Sequence, residues 1–294
     1  KLYIPRRGVT QWNQDIIEAM ITIMYSRCDV VIALSRKSKK QLESWMEGED
    51  YTYPIELLPT GVDALPAATE PLLAAFREKY GFDESDEIVT YVGRLGAEKN
   101  LDILIPMIEK VLQERPNAKL LYVGDFEYRE TLEKLASESS ASDRIVFTGA
   151  LPRETLGTIY EASSVFVFPS MTDTQGLVLH EAALAGLPIV LTDKDVSEVV
   201  HDGENGYYAG LDSDSMAQKV VSILSDNDLR LKFSAASKEI AARYTEREQT
   251  AKLDELYKHA VLGHTEKRRT AMQRLYKKLL AIRRNVADKM SFDE

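Results

Sequence analysis

At 294 residues the chain is long enough to bury a sizeable core, and 44% hydrophobic against 29% charged residues is the balance of a globular protein. No run approaches the roughly 18 apolar residues of a membrane span and no signal-peptide pattern is visible, while the single cysteine, Cys28, excludes an internal disulfide and a multi-cysteine zinc site. Against 47 Asp and Glu stand 37 Lys and Arg, a net charge of −10 that argues against a nucleic-acid partner. These features predict a cytoplasmic enzyme.

In chain order, Ile16, Ile17, Met20, Ile23 and Met24 follow a helical period, residues 29–34 (DVVIAL) read as one buried strand, and Ser35 caps a further helix to about Trp45. One strand with two helices makes no sheet of its own. Residues 1–53 are therefore expected to be the remnant of a preceding, N-terminal domain.

From residue 54 the rhythm is regular. Strands are predicted at 54–58, 87–92, 118–123, 144–148, 164–168, 188–192 and 206–208, and helices at 70–80, 99–114, 127–138, 153–162 and 175–185. Short apolar strands alternating with amphipathic helices give an α/β fold with a doubly wound parallel sheet. The segment Pro59-Thr60-Gly61-Val62-Asp63 breaks the pattern and reads as a hinge. The domain is expected to span 54–245, and 246–294 to be a helical extension.

That extension ends in a basic segment. Residues 266–290 carry nine Lys and Arg against Glu266 and Asp288, a net +7 that leaves −17 on the rest of the chain. Met272, Leu275, Tyr276, Leu279, Ile282 and Val286 line one face of the predicted helix 267–288. Such a helix suits an anionic membrane surface, and it equally suits packing back on the N-terminal domain.

Chemistry concentrates where strands end. After the strand at 87–92, Gly93-Arg94 through Lys99 offers close backbone approach and two cations, a fork and a point charge, for a diphosphate. Alone, the same residues would make an ordinary turn with two solvated cations. Further on, Asp173-Thr174-Gln175-Gly176 feeds a helix predicted to begin at Gln175, so the amides of Thr174, Gln175 and Gly176 are expected at its positive end. Glu181, two turns along a helix apolar on most sides, needs a partner, and its two oxygens suit a ribose diol. The alternative makes Asp173 a capping acid and Glu181 a surface residue. Gly124-Asp125 and the stretch Gly149-Ala150-Leu151 close two more strands, and the backbone at Gly149 to Leu151 is placed to read a base edge.

Taken together, PTGVD, VGRLGAEKN, LLYVGD, IVFTGALP, ASSVFVFPS, TDTQGLVLHEAALAGLPIV and DGENGYY closely resemble the C-terminal, donor-binding half of glycosyltransferase family 4, the group 1 retaining enzymes of GT-B fold. The resemblance covers about residues 54–245 and implies a Rossmann-like domain that binds a nucleoside-diphosphate sugar, with UDP-glucose favoured and no metal or other cofactor. It implies that Arg94 and Lys99 hold the diphosphate and stabilise the leaving nucleotide, that Glu181 holds the ribose, and that position 173 contacts the transferred sugar. The family usually has Glu at both ends of that motif; Asp173 is one methylene shorter. The TDTQG variant resembles glycolipid synthases that glucosylate diacylglycerol, which would add peripheral contact with the inner membrane face. The N-terminal domain of the same protein is then the expected acceptor-side partner. Against this stands a stand-alone nucleotide-sugar-binding module that completes or regulates a partner chain. A sugar-nucleotide epimerase would require catalytic carboxylates and a histidine in places this chain does not show.

Overall fold

A computed structural model describes residues 11–47 and 53–262, so the predicted helix at 267–288 lies outside the described residues. Contacts divide the chain into two units, Lys1–Leu58 with Thr250–Glu294, and Pro59–Gln249.

The first unit contains α1 (Gln11–Tyr25), β1 (Val31–Ala33), α2 (Arg36–Ser44) and β2 (Ile55–Leu57). Ser35 opens α2 with a full capping box, its hydroxyl accepting from the Ser38 amide while the Ser38 hydroxyl accepts from the Ser35 amide. The strand at 54–58 was expected to begin the large sheet, but β2 pairs in parallel with β1 as a separate two-stranded sheet, Val31 opposite Ile55. The reason lies in the chain: β2 stands before the break at Pro59, and Tyr53 carries it into the small core of Val31, Ala33 and Leu42. The ring of Tyr53 meets Tyr25 edge-on at 5.7 Å.

The second unit holds α3 (Glu70–Tyr80), β3 (Glu87–Val92), α4 (Leu104–Val111), β4 (Ala118–Val123), α5 (Arg129–Ser137), β5 (Ile145–Phe147), α6 (Leu156–Ala162), β6 (Val165–Phe168), α7 (Leu177–Ala185), β7 (Ile189–Leu191), β8 (Gly206–Tyr208), α8 (Ser213–Leu224) and α9 (Asn227–Ala241). The unit boundary falls inside the last described helix, α10 (Glu246–Leu262). All six strands are parallel in the order β5-β4-β3-β6-β7-β8. The doubly wound α/β reading of the sequence is the observed fold.

This order places β3 and β6 side by side at the centre, with the chain leaving them toward opposite edges. A crevice therefore opens beyond their carboxyl ends, the position at which open α/β sheets bind ligands. The strands that frame it are buried on both faces: Ile88 and Val89 of β3 and Phe166 and Val167 of β6 are at most 2% exposed. Each such side chain contributes roughly 1.5–3 kcal/mol, so the crevice sits on a rigid floor.

One helix departs from expectation. Instead of a helix over 99–114, the chain makes two short 3-10 turns, Ala97–Lys99 and Leu101–Ile103, before α4 begins. Asn100, at φ 55°, separates them, because a left-handed residue cannot continue a right-handed helix. Pro106 then falls in the first turn of α4, where no amide donor is required of it.

Candidate functional site

The carboxyl ends of β3, β4 and β5 carry a glycine each, and the three form a continuous shelf. The Gly93 amide donates to the Val123 carbonyl at 2.9 Å, and the Gly124 amide to the Gly149 carbonyl at 3.0 Å. At Gly124 (φ 141°) a Cβ would stand 1.9 Å from the Gly93 carbonyl oxygen, so only glycine lets the loops after β3 and β4 approach this closely. The shelf is bare backbone. Gly149 itself is buried, its carbonyl taken by Gly124 and by the Thr148 hydroxyl, and Leu151 packs half-buried against the main core, so of the stretch 149–151 only Ala150 is exposed.

Arg94 rises from the shelf and is exposed. Its guanidinium lies 4.8 Å over the Phe126 ring, and Nη2 stands 3.4 Å from Glu98 Oε1. The backbone beneath it is fixed by the Tyr91 hydroxyl, which donates to the Arg94 carbonyl at 3.1 Å. Burial raises the Tyr91 pKa far above its usual value, and the Asp173 and Glu98 carboxylates raise it further, so this donor is permanent.

Lys99 takes the opposite course. The 3-10 turn points it inward, where it is only 6% exposed and its ammonium donates to Asp173 Oδ1 at 2.9 Å. The two cations of one short loop are thus set apart, one over an aromatic face and one at the bottom of the crevice. Asp173 Oδ2 is also buried, yet it accepts no hydrogen bond from the described residues. A buried carboxylate oxygen without a hydrogen bond is costly, and it leaves an acceptor open to a further donor.

Helix α7 begins two residues later than the sequence suggests. Gly176 adopts φ 66°, ψ 63° as N-cap, a conformation outside the right-handed helix, so the first helical amides are those of Leu177 to Leu179 and not of Thr174 to Gly176. No side chain caps this terminus. Gln175 is buried, and its amide donates to the Thr60 carbonyl at 3.2 Å, which ties the loop to the segment after Pro59. Thr174 is exposed at the rim.

Glu181 has the partners its burial demands. Its side chain is 3% exposed; the Tyr160 hydroxyl donates to Oε2 at 3.0 Å, and the Arg153 guanidinium forms an ion pair with it, Nη1 standing 2.7 Å from Oε1. Burial, and next the Glu181 charge, push the Tyr160 pKa well above its ordinary value, so Tyr160 is always the donor. Sequence reasoning missed both partners. The available signal was their spacing of seven, which puts them on one side of the helical stretch around α6.

The family of glycosyl transferases group 1 matches residues 74–240. The chain belongs to this family. Sulfoquinovosyl transferase SQD2 of Arabidopsis thaliana is 29% identical over 267 residues, covering 88% of this chain and 50% of its own length. A GDP-mannose-dependent alpha-(1-6)-phosphatidylinositol monomannoside mannosyltransferase of Mycolicibacterium smegmatis is 32% identical over 208 residues, covering 67% of this chain and 53% of its own. Among solved structures, sucrose-phosphate synthase from Thermosynechococcus elongatus superimposes with a TM-score of 0.72 at 23% identity, over 87% of this chain and 65% of that one, which shows a shared GT-B fold. The chain spans about half the length of the curated relatives it matches.

In this group 1 glycosyltransferase chain the residues singled out from the sequence thus fall in two places. Gly93, Arg94, Lys99, Asp173 and the start of α7 surround the central crevice, while Glu181 lies deeper, between α6 and α7. A cavity of about 460 Å³ opens between the amino ends of β6 and β7, α9 and residues 64–67; it takes in Tyr160 and Glu181 but none of the crevice residues. We regard the crevice as the site, because the glycine shelf, both cations and the unpartnered Asp173 oxygen meet there. Among the described residues no three His, Cys, Asp or Glu side chains group as a metal site, and no helix is long and apolar enough to cross a membrane.

Proposed function

We propose that Pro59–Gln249 is the donor-binding half of a retaining hexosyltransferase, which takes a nucleoside-diphosphate sugar, UDP-glucose first among candidates, and delivers the sugar to a lipid or glycan acceptor. The observation that carries this reading is the Lys99–Asp173 pair at the centre of the crevice. An ammonium has three donors, so Lys99 can keep Asp173 and still meet a phosphate oxygen. The free Asp173 oxygen then accepts from a hydroxyl of the sugar attached to that phosphate. Arg94, preset over Phe126, supplies the second cation.

The chemistry follows from this placement. Breaking the anomeric bond leaves negative charge on the diphosphate, and fixed cations together with the uncapped start of α7 stabilise that charge where it develops. On this reading the charge is met by the chain's own residues and not by a metal ion. Relatives whose names specify phosphatidylinositol mannoside and sulfoquinovosyl transfer support a lipid acceptor, and action at the cytoplasmic face of a membrane would suit it.

Calorimetry of UDP-glucose, GDP-mannose and ADP-glucose in EDTA tests the proposal. Binding of one sugar nucleotide, with UDP-glucose the tightest, is expected. Failure of all three to bind would remove it.

A further inference from the structure

Lys99 points into the crevice because the chain reverses its hand at the next residue. In an uninterrupted right-handed helix, with about 100° between successive side chains, Lys99 would stand on the side opposite the buried Leu101, Leu104 and Ile108, toward solvent. Asn100, at φ 55° and ψ 35°, is the one non-glycine residue at positive φ among the described residues, and it breaks that helix between Lys99 and Leu101. Leu101 stays on the core side, wholly buried, its carbonyl accepting from the Tyr122 hydroxyl at 2.8 Å. Lys99 is thereby turned the other way.

The Asn100 side chain is not spent on this turn. It does not cap the 3-10 turn that follows; its Nδ2 donates instead to the Pro169 carbonyl at 3.3 Å. Pro169 directly follows β6, in the loop that leads to Asp173. Three successive residues of the loop after β3 therefore meet the loop after β6: the Glu98 carbonyl accepts from the Thr172 hydroxyl at 3.4 Å, Lys99 meets Asp173, and Asn100 meets Pro169. The outer two ties are uncharged and join the loops independently of the ion pair between them.

We infer that Asn100 is the positioning residue of Lys99: its left-handed backbone turns the ammonium inward, and its amide fixes the lysine loop to the Asp173 loop. This rests on the donor-site reading above. A lysine side chain carries much rotamer freedom, and one whose root is fixed loses less of it on meeting a phosphate oxygen. Held by Asp173 alone, Lys99 would be drawn off the carboxylate by an incoming diphosphate; with its root tied at Pro169 it serves both.

Glycine takes a left-handed turn without strain, so Asn100→Gly keeps the turn and removes the amide, whereas Asn100→Ala disturbs both. The test is calorimetry on the whole chain with whichever of UDP-glucose, GDP-mannose and ADP-glucose binds wild type most tightly, alongside denaturation midpoints. Asn100→Gly should bind about three- to tenfold more weakly, with a midpoint close to wild type. Asn100→Ala should bind more weakly still; Asn100→Gly decides the matter if Asn100→Ala does not fold. In a Lys99→Ala chain neither substitution should weaken binding further, because Asn100 acts through the ammonium, whereas a merely structural role would repeat the same loss there.

Wild-type affinity in Asn100→Gly would overturn the inference, as would a loss that persists undiminished in the Lys99→Ala chain, or equal affinities for Asn100→Gly and a folded Asn100→Ala. Each of these, with wild type binding normally, leaves the donor-site reading intact. If none of the three sugar nucleotides binds wild type, the donor-site reading fails and this inference falls with it.

Discussion

Two buried lysines stand at opposite ends of one sheet. Lys119, near the amino end of β4, is 9% exposed and fully engaged: its ammonium meets Asp86 Oδ2 at 2.8 Å and the Gly81 carbonyl at 2.7 Å, and lies 5.3 Å from the Phe82 ring centroid. Lys99, beyond the carboxyl end of β3, is equally buried but has one partner among the described residues, and that partner keeps an unsatisfied oxygen. Burial alone does not distinguish a structural ion pair from a binding group; the number of polar atoms left unsatisfied does. Lys119 closes the fold, and Lys99 is, on the proposed reading, half of an interaction that a ligand would complete.

The largest effect expected from this contrast is on stability at the closed end. Lys119→Ala leaves Asp86 buried and uncompensated, a loss of about 3–5 kcal/mol in chemical denaturation, with nucleotide affinity unchanged for the fraction that remains folded. If Lys119→Ala instead weakened nucleotide binding at intact stability, the two lysines would not differ in the way their partners indicate.

A third buried group sharpens the comparison because it has no charge partner. His180 on α7 lies against Tyr244, and neither ring nitrogen has a partner at hydrogen-bonding geometry among the described residues. Burial lowers its pKa from 6.5 to about 4, offset only in part by the Gly176 carbonyl one turn back. With the folded value depressed, its contribution is intact above pH 6.5 and is lost as pH falls toward about 4. The drop amounts to about 3 kcal/mol. Denaturation curves at several pH values should show that slope in wild type and lack it in His180→Leu; parallel pH dependence would place the acid sensitivity elsewhere.

At the open end the effects are smaller and fall on binding. Lys99→Ala and Arg94→Ala should each cost roughly 1.5–3 kcal/mol of nucleoside-diphosphate affinity, the scale of hydrogen bonds to charged groups. Unchanged affinity in both would remove the phosphate assignment. Smallest of all, Asp173→Asn should reduce affinity for the intact sugar nucleotide by about 1 kcal/mol while leaving the free nucleoside diphosphate nearly untouched. Equal losses for the two ligands would show that position 173 does not read the sugar.

The strand and helix alternation of the second unit was legible in the sequence because hydrophobic period is a local property. Each strand from 87–92 onward lies within a residue or two of its expected span. The loops bearing Arg94, Lys99, Asp173 and Glu181 were legible for the same reason, since glycines and charges gather where strands end. Less legible were the starts of α4 and α7, where one left-handed residue each, Asn100 and Gly176, moves the helix along the chain.

Which residues meet across the fold was decided only by tertiary structure. Sequence placed strand 54–58 by rhythm, whereas pairing with β1 places β2 in a different sheet. It put two cations in one loop, and the turn sent Arg94 to Phe126 and Lys99 to Asp173, 74 positions away. It required a partner for Glu181 without naming Arg153 or Tyr160. Periodicity records which face of an element is apolar, and that is fixed residue by residue along the chain. Hydrogen-bond partners are fixed by strand order, and strand order is settled only when the whole sheet packs.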